Sequence, residues 1–237
     1  MKKTRIAIVG LGMAVTPHAR SALDLADRVE VAYAYSPSAE RRARFAEKFS
    51  FPQCDELEAI LEDSSVDAIA VLTPPNTHFG IVKRCAEAGK HVLLEKPLEI
   101  TTARAEEMVA ECRARGVTLG VVLQHRHKPA VARLAELLRG EEIGALVGAS
   151  AIIRLWRPQS YYDDPGRGTR ARDGGGVLIT QAIHSVWQDF LDAIERGGEP
   201  RVNGEEALRV HRLIDALLDS AAKGAAIHFS PAGMGTR

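Results

Sequence analysis

The chain is short of four things. Aromatic residues make up only 5% of its 237 residues, so it has few flat surfaces on which the bases of a single-stranded nucleic acid could stack. Charge of neither sign is in excess: 31 Lys and Arg balance 31 Asp and Glu. No net field draws the chain to nucleic acid or to an anionic membrane. No apolar run approaches the roughly 18 residues of a membrane span, and the apolar stretch 6–9 is too short for the core of a signal peptide. The three cysteines, Cys54, Cys85 and Cys112, are scattered and never in a CxxC spacing. A disulfide framework or structural zinc site is not expected, and a reducing, cytoplasmic setting is. What is present is an ordinary apolar content of 46%, enough to build a packed core. At about 150 residues per domain, the length predicts roughly one and a half domains.

The first half alternates apolar runs with amphipathic ones. Strands are expected over 5–10, 29–35, 67–72, 91–94 and 117–123. Helices are expected over 17–25, 39–49, 55–61, 77–88 and 102–115. Ser38 and Asp55 read as N-caps, and Gly89 and Gly116 as C-terminal stops. Strand–helix alternation with short connections predicts an α/β fold, a Rossmann-type doubly wound parallel sheet. Ligands of such sheets bind beyond the carboxyl ends of the strands. After residue 123 the rhythm changes. A helix over 128–139 precedes a long strand over 145–155, a Gly-, Arg- and Asp-rich loop over 161–176 and a mixed segment over 177–192. An amphipathic helix over 205–222 carries Ala207, Val210, Ile214 and Leu217 at helical steps. The expected organisation is a dinucleotide-binding domain over 1–123, a reduced α+β substrate domain over 124–230 and a flexible tail over 231–237.

Chemistry concentrates at the strand ends. Gly10-Leu11-Gly12 follows a strand and opens a helix, the context a dinucleotide fingerprint requires. Gly10 permits the tight turn, and Gly12 lets the backbone approach a pyrophosphate at the helix N-terminus. Val15 stands where a third glycine is usual, which predicts looser packing of that helix on its strand. The second strand ends in Tyr35-Ser36-Pro37 with no carboxylate to bind a ribose 2′-hydroxyl. A hydroxyl with Arg41 and Arg42 nearby favours NADP slightly over NAD. Thr73-Pro74-Pro75-Asn76-Thr77-His78 and Glu95-Lys96-Pro97 close two further strands, and a lysine at a cleft mouth can donate or accept a proton. Gly174-Gly175-Gly176 leads through Thr180 to His184, a second acid/base candidate. His125 and His127 straddle Arg126 with no carboxylate to complete a ligand set, so no metal is expected.

These motifs, in this order, resemble the Gfo/Idh/MocA family of NAD(P)-dependent oxidoreductases (glucose–fructose oxidoreductase, inositol dehydrogenase, rhizopine catabolism). The run Gly89-Lys90-His91-Val92-Leu93-Leu94-Glu95-Lys96-Pro97 is its most specific part. The resemblance covers 5–185 and resumes over 187–229. It implies that Lys96 contacts substrate and nicotinamide and that His184 is catalytic. It implies cofactor contacts at Gly10, Gly12, Ser36, Thr73, Asn76, His78, Glu95, Gln124 and Arg126, with Trp156 and Arg157 near the nicotinamide. Met13, Arg41 and Pro74, at the same strand ends, complete the expected cofactor site. The implied reaction is hydride transfer between a hydroxyl-bearing carbon of a sugar, sugar acid or cyclitol and the nicotinamide. The expected partner is therefore a small polyol or sugar-like substrate, with neither nucleic acid nor membrane.

Two departures stand out. Thr180 occupies a place where many members carry aspartate, so a third acid/base group is not expected. Ser185 runs directly into Trp187-Gln188-Asp189-Phe190, so most of the open sheet of the family's second domain reads as missing. That sheet lines the substrate cleft and usually forms a homo-oligomer interface. The alternative expectation is thus a non-catalytic or weakly active dinucleotide-binding relative. A fold that binds S-adenosylmethionine would also use a glycine turn, but it leaves Glu95-Lys96-Pro97 without a purpose.

Overall fold

The structure, a computed structural model, describes residues 2–140, 142, 144, 159, 163 and 183–225. Its centre is one six-stranded sheet, every strand parallel to its neighbours. The strands are β1 (Thr4–Val9), β2 (Val29–Tyr35), β3 (Gln53–Cys54), β4 (Ala68–Val71), β5 (His91–Glu95) and β6 (Leu119–Val122), in the order β3-β2-β1-β4-β5-β6. This is the strand order of the dinucleotide-binding fold, and it reverses direction between β1 and β4.

Alternation along each strand explains the three layers. In β1, Ile6 and Ile8 face one side of the sheet while Ala7 and Val9 face the other. In β4, Ala68 and Ala70 oppose Ile69 and Val71 in the same way. All eight are 1% exposed or less. Side chains that alternate and are buried on both faces require helices on both faces. On one face lie α1 (Val15–Asp24), α2 (Ala39–Ala46) and α7 (Ile183–Arg196); on the other lie α3 (Leu57–Glu62), α4 (His78–Glu87), α5 (Thr102–Ala114) and α8 (Gly204–Lys223). The remaining helix, α6 (Pro129–Arg139), buries none of its residues.

Helices α7 and α8 come from the stretch expected to form the second domain, yet both pack on this sheet. Trp187, Phe190 and Leu191 of α7 join Ile6, Ile8 and Leu93 in one core cluster. Ala207 and Leu208 of α8 join Val109 and Val121 in the other. The fit is tight. A β-carbon on Gly120 would lie 2.8 Å from Phe190 Cδ2, and one on Gly204 would lie 2.7 Å from Val109 Cγ2. Val202 also extends the sheet edge, where its carbonyl accepts from the Val121 amide at 2.8 Å. Leaving a cavity of phenylalanine size here costs about 3–5 kcal/mol, so α7 is a structural part of the nucleotide-binding layers.

Several expectations shift locally. The helix expected over 55–61 with Asp55 as cap is α3, which starts at Leu57 with no side-chain cap. The Asp55 carboxylate is instead taken by the Arg42 guanidinium at 3.1 Å. The segment 77–88 begins as a 3-10 turn over Pro75–Thr77 before α4. Val15 does not loosen α1: it is 6% exposed and packs in the core with Ile6 and Ile8. On α8, Ala207 is buried, but Ile214 and Leu217 are 44% and 61% exposed. The strand expected over 145–155, the loop over 161–176 and the tail over 231–237 lie outside the described residues. Among the described residues no helix is long and apolar enough to cross a membrane.

Candidate active site

The carboxyl edge of the sheet brings the expected residues together. Strands β1, β4 and β5 are neighbours, so the loops that leave them line one cleft mouth. At β1, Gly10 has φ +107°, and its amide donates to Tyr35 O at 3.0 Å. A β-carbon there would lie 2.9 Å from Leu72 C and 3.0 Å from Thr73 N, both backbone atoms. Only glycine fits this turn. A β-carbon on Gly12, by contrast, would meet nothing within 4 Å. Helix α1 then begins without a side-chain cap. Of its first three residues, Val15 already donates its amide to Gly12 O at 3.2 Å and Pro17 has no amide hydrogen, which leaves the Thr16 amide and the positive end of the helix dipole at this turn. A backbone cradle with open space over Gly12 fits the pyrophosphate of a dinucleotide. Met13, 63% exposed, stands on the same turn.

At the end of β2, Ser36 is buried, and its Oγ accepts from the Ser38 amide at 3.3 Å. Ser38 in turn caps α2 by accepting from the Arg41 amide. Arg42 is committed to this loop, bonded to Ser36 O and to Asp55. The Arg41 guanidinium is exposed and makes no hydrogen bond or ion pair among the described residues. The two arginines that look alike in sequence therefore differ: Arg42 braces the loop, and Arg41 is available to a ligand.

At the end of β4, Thr73, Pro74 and Asn76 edge the cleft, and the Thr77 hydroxyl lies 2.7 Å from both Thr73 Oγ1 and Pro74 O. His78 does not edge it. Its ring is fully buried, with Nε2 2.8 Å from Thr73 O and Nδ1 3.0 and 3.2 Å from the carbonyls of Pro97 and Leu98. Burial pushes its pKa down, against the three carbonyls that would raise it. His78 is a tie between the β4 and β5 loops.

At the end of β5, Glu95 is buried at 8% exposure. Its Oε2 accepts from the Lys96 amide at 2.9 Å and its Oε1 lies 3.1 Å from His18 Nε2. Behind it, the Trp187 indole N–H donates to His18 Nδ1 at 3.0 Å. His18 and Trp187 are both fully buried and neither was among the expected site residues. At the end of β6, Gln124 is 2% exposed, and its Nε2 has no hydrogen-bond partner among the described residues. An orphaned buried donor is unfavourable by about 1–3 kcal/mol, so its presence beside the cleft mouth marks a group suited to an incoming acceptor. Arg126 donates to Glu206 of α8 at 2.7 Å. Its guanidinium is thereby held toward α8, although it remains partly exposed.

His184 lies in the first turn of α7, three residues before Trp187. Trp156, Arg157 and Thr180 lie outside the described residues. Among the described residues no group of three or more His, Cys, Asp or Glu side chains is arranged to hold a metal. Cys85 and Cys112 are buried, and burial pushes both thiols up to about 12. They are unreactive core residues.

Comparison with known proteins agrees with this geometry. Residues 4–123 match the model of an oxidoreductase family with an NAD-binding Rossmann fold, GFO_IDH_MocA. The dTDP-3,4-didehydro-2,6-dideoxy-α-D-glucose 3-reductase of Actinomadura kijaniata is 32% identical over 182 residues, 77% of this chain and 54% of the relative. The myo-inositol 2-dehydrogenase of Thermotoga maritima is 33% identical over 182 residues, 76% of this chain and 52% of the relative. The chain thus spans about half the length of these relatives. Among solved structures, the WlbA dehydrogenase of Chromobacterium violaceum, in complex with NADH and UDP-GlcNAcA, is 28% identical. It aligns with 82% of this chain and 56% of its own at a TM-score of 0.65. With its matched residues forming a parallel sheet in dinucleotide-binding order and a glycine turn open over Gly12, this chain belongs to the Gfo/Idh/MocA oxidoreductase family.

Proposed function

We propose that the chain is an NAD(P)-dependent oxidoreductase that moves hydride between the nicotinamide and a hydroxyl-bearing carbon of a sugar-like or cyclitol substrate. The observation that carries this reading is the adjacency of two loops. The β1 loop offers the open space over Gly12 and the N-terminal end of α1, and the β5 loop, two strands away, offers Glu95 and Lys96. Family membership and the sugar-nucleotide and inositol activities named for the relatives support the substrate class.

When bound, the nicotinamide supplies the hydride-accepting or hydride-donating ring carbon. The chain's own residues do the rest. The glycine turn and the N-terminal end of α1 hold the pyrophosphate. Ser36 and Arg41 sit where the adenosine ribose would lie, and the available Arg41 cation favours a 2′-phosphate, hence NADP over NAD. In the oxidative direction Lys96 or His184 takes the hydroxyl proton as the carbinol carbon gives up its hydride. The substrate side is assigned to the domain over 124–230, with Trp156 and Arg157 near the nicotinamide. The test is NADP+ and NAD+ reduction followed at 340 nm with sugars, sugar nucleotides and cyclitols as donors. Turnover with at least one of them supports the reading. Tight cofactor binding with no turnover on any of them would instead favour a dinucleotide-binding protein that lacks a substrate site.

A further inference from the structure

One buried chain of hydrogen bonds links three elements of the site that are remote in sequence. It runs from Trp187 on α7 to His18 on α1 and from there to Glu95 at the end of β5. The Lys96 amide closes it from the other side of the carboxylate. Its members are separated by 169 and 77 residues. Its geometry allows only one assignment of protons. An indole N–H can donate but not accept, so His18 Nδ1 must be the acceptor. The ring proton then sits on Nε2 and points at Glu95 Oε1. Glu95 accepts twice, from His18 and from the Lys96 amide, which compensates a carboxylate held out of water.

We propose that His18 is a positioning residue for the cofactor site. It is held in one tautomer by Trp187, and it fixes Glu95 and through it the backbone at Lys96 relative to the dinucleotide turn. The inference rests on the reading of the β1 and β5 loops as the cofactor cleft. His18 lies one turn into α1, the helix that follows the dinucleotide turn. Trp187 lies one turn beyond His184 on α7. A shift of any one of these elements breaks a hydrogen bond that no water can replace, because His18 and Trp187 are fully buried. The relay therefore ties the helix that would bind the pyrophosphate, the loop that carries Lys96 and the helix that carries His184 into one unit.

Two kinds of measurement test it. In the protein without cofactor, ¹⁵N NMR of its histidines reports the tautomer of His18, and the Lys96 amide resonance reports the loop. The expected result is a proton on Nε2, released to a mixture of tautomers in Trp187→Phe, and a displaced Lys96 amide in His18→Leu. With cofactor, fluorescence titration of NADPH and NADH should show His18→Leu binding about tenfold more weakly, the loss of one hydrogen bond to a charged group. His18→Gln, which keeps one acceptor and one donor, should bind within about threefold of the wild type. A proton on Nδ1 in the wild type overturns the proposal. So does His18→Leu with unchanged affinity and an unmoved Lys96 amide, or a folded His18→Gln as weak as His18→Leu. Should the wild type bind neither cofactor, the reading of the cleft fails, and the tautomer and the Lys96 amide still decide the network.

Discussion

Gly10 and Gly12 stand two residues apart in one turn, and the structure assigns them opposite sensitivities. In Gly10→Ala the new β-carbon would lie 2.9–3.0 Å from Leu72 C, Leu72 O and Thr73 N. None of these backbone atoms can swing aside. A φ of +107° adds strain of about 1–2 kcal/mol for a residue with a β-carbon. The overlap adds about 1–3 kcal/mol. The expected destabilisation is thus about 3 kcal/mol, a large part of the roughly 5–15 kcal/mol that holds a domain folded. In Gly12→Ala the β-carbon meets nothing, and stability should stay within about 0.5 kcal/mol. That β-carbon enters the space assigned to the pyrophosphate, so affinity for NADPH and NADH should fall at least about tenfold, some 1.4 kcal/mol. Urea denaturation followed by circular dichroism gives the first quantity, and fluorescence titration gives the second. A Gly10→Ala protein less than about 1 kcal/mol below wild type would refute the close-approach argument. A Gly12→Ala protein with unchanged cofactor affinity would put the pyrophosphate elsewhere.

Three further outcomes follow from the same geometry. Arg41→Ala should weaken NADPH binding about three- to tenfold and leave NADH nearly unchanged; equal losses for both cofactors would remove Arg41 from the 2′-phosphate. Lys96→Ala should leave cofactor affinity within about threefold while turnover is lost, and surviving turnover would exclude Lys96 as the proton-handling group. The Ser65 side chain, then the Ser65 amide donating at 2.8 Å and the Tyr33 hydroxyl donating at 2.9 Å, lower the pKa of Asp63 from 3.8 to about 2. Its folded value lies below its unfolded one, so its contribution is complete above about pH 4 and is lost as the pH falls toward 2. Asp63→Asn should lower stability at neutral pH and flatten that part of the acid limb; parallel pH profiles for the two proteins would contradict the assignment.

The residues that could be read from sequence are those whose signal is local. Strands β1, β4 and β5 are short apolar runs because both of their faces are covered, and Gly10-Leu11-Gly12 carries its context with it. Strand β3 has no such signal. It is two residues, Gln53 and Cys54, neither of them buried, and it exists only because Ala34 and Tyr35 of β2 pair with it. Sequence spacing also could not separate Arg41 from Arg42, since what distinguishes them is Asp55, thirteen residues beyond Arg42. His78 follows a strand end, but two of the three carbonyls around its ring, those of Pro97 and Leu98, belong to the next loop. The relay through His18 and Trp187 was least legible of all. Each residue reads alone as an ordinary apolar-face position, and only the packing of α7 against α1 joins them. A better clue was Trp187 itself, a donor that needs a partner when buried.

The central claim is that the carboxyl edge around Gly12, Arg41 and Lys96 holds a nicotinamide dinucleotide. Titration of the protein with NADPH and NADH, followed by the change in nicotinamide fluorescence, tests it most directly. Saturable binding of both is predicted, tighter for NADPH and weakened for both by Gly12→Ala. No binding of either cofactor at millimolar concentration would contradict it.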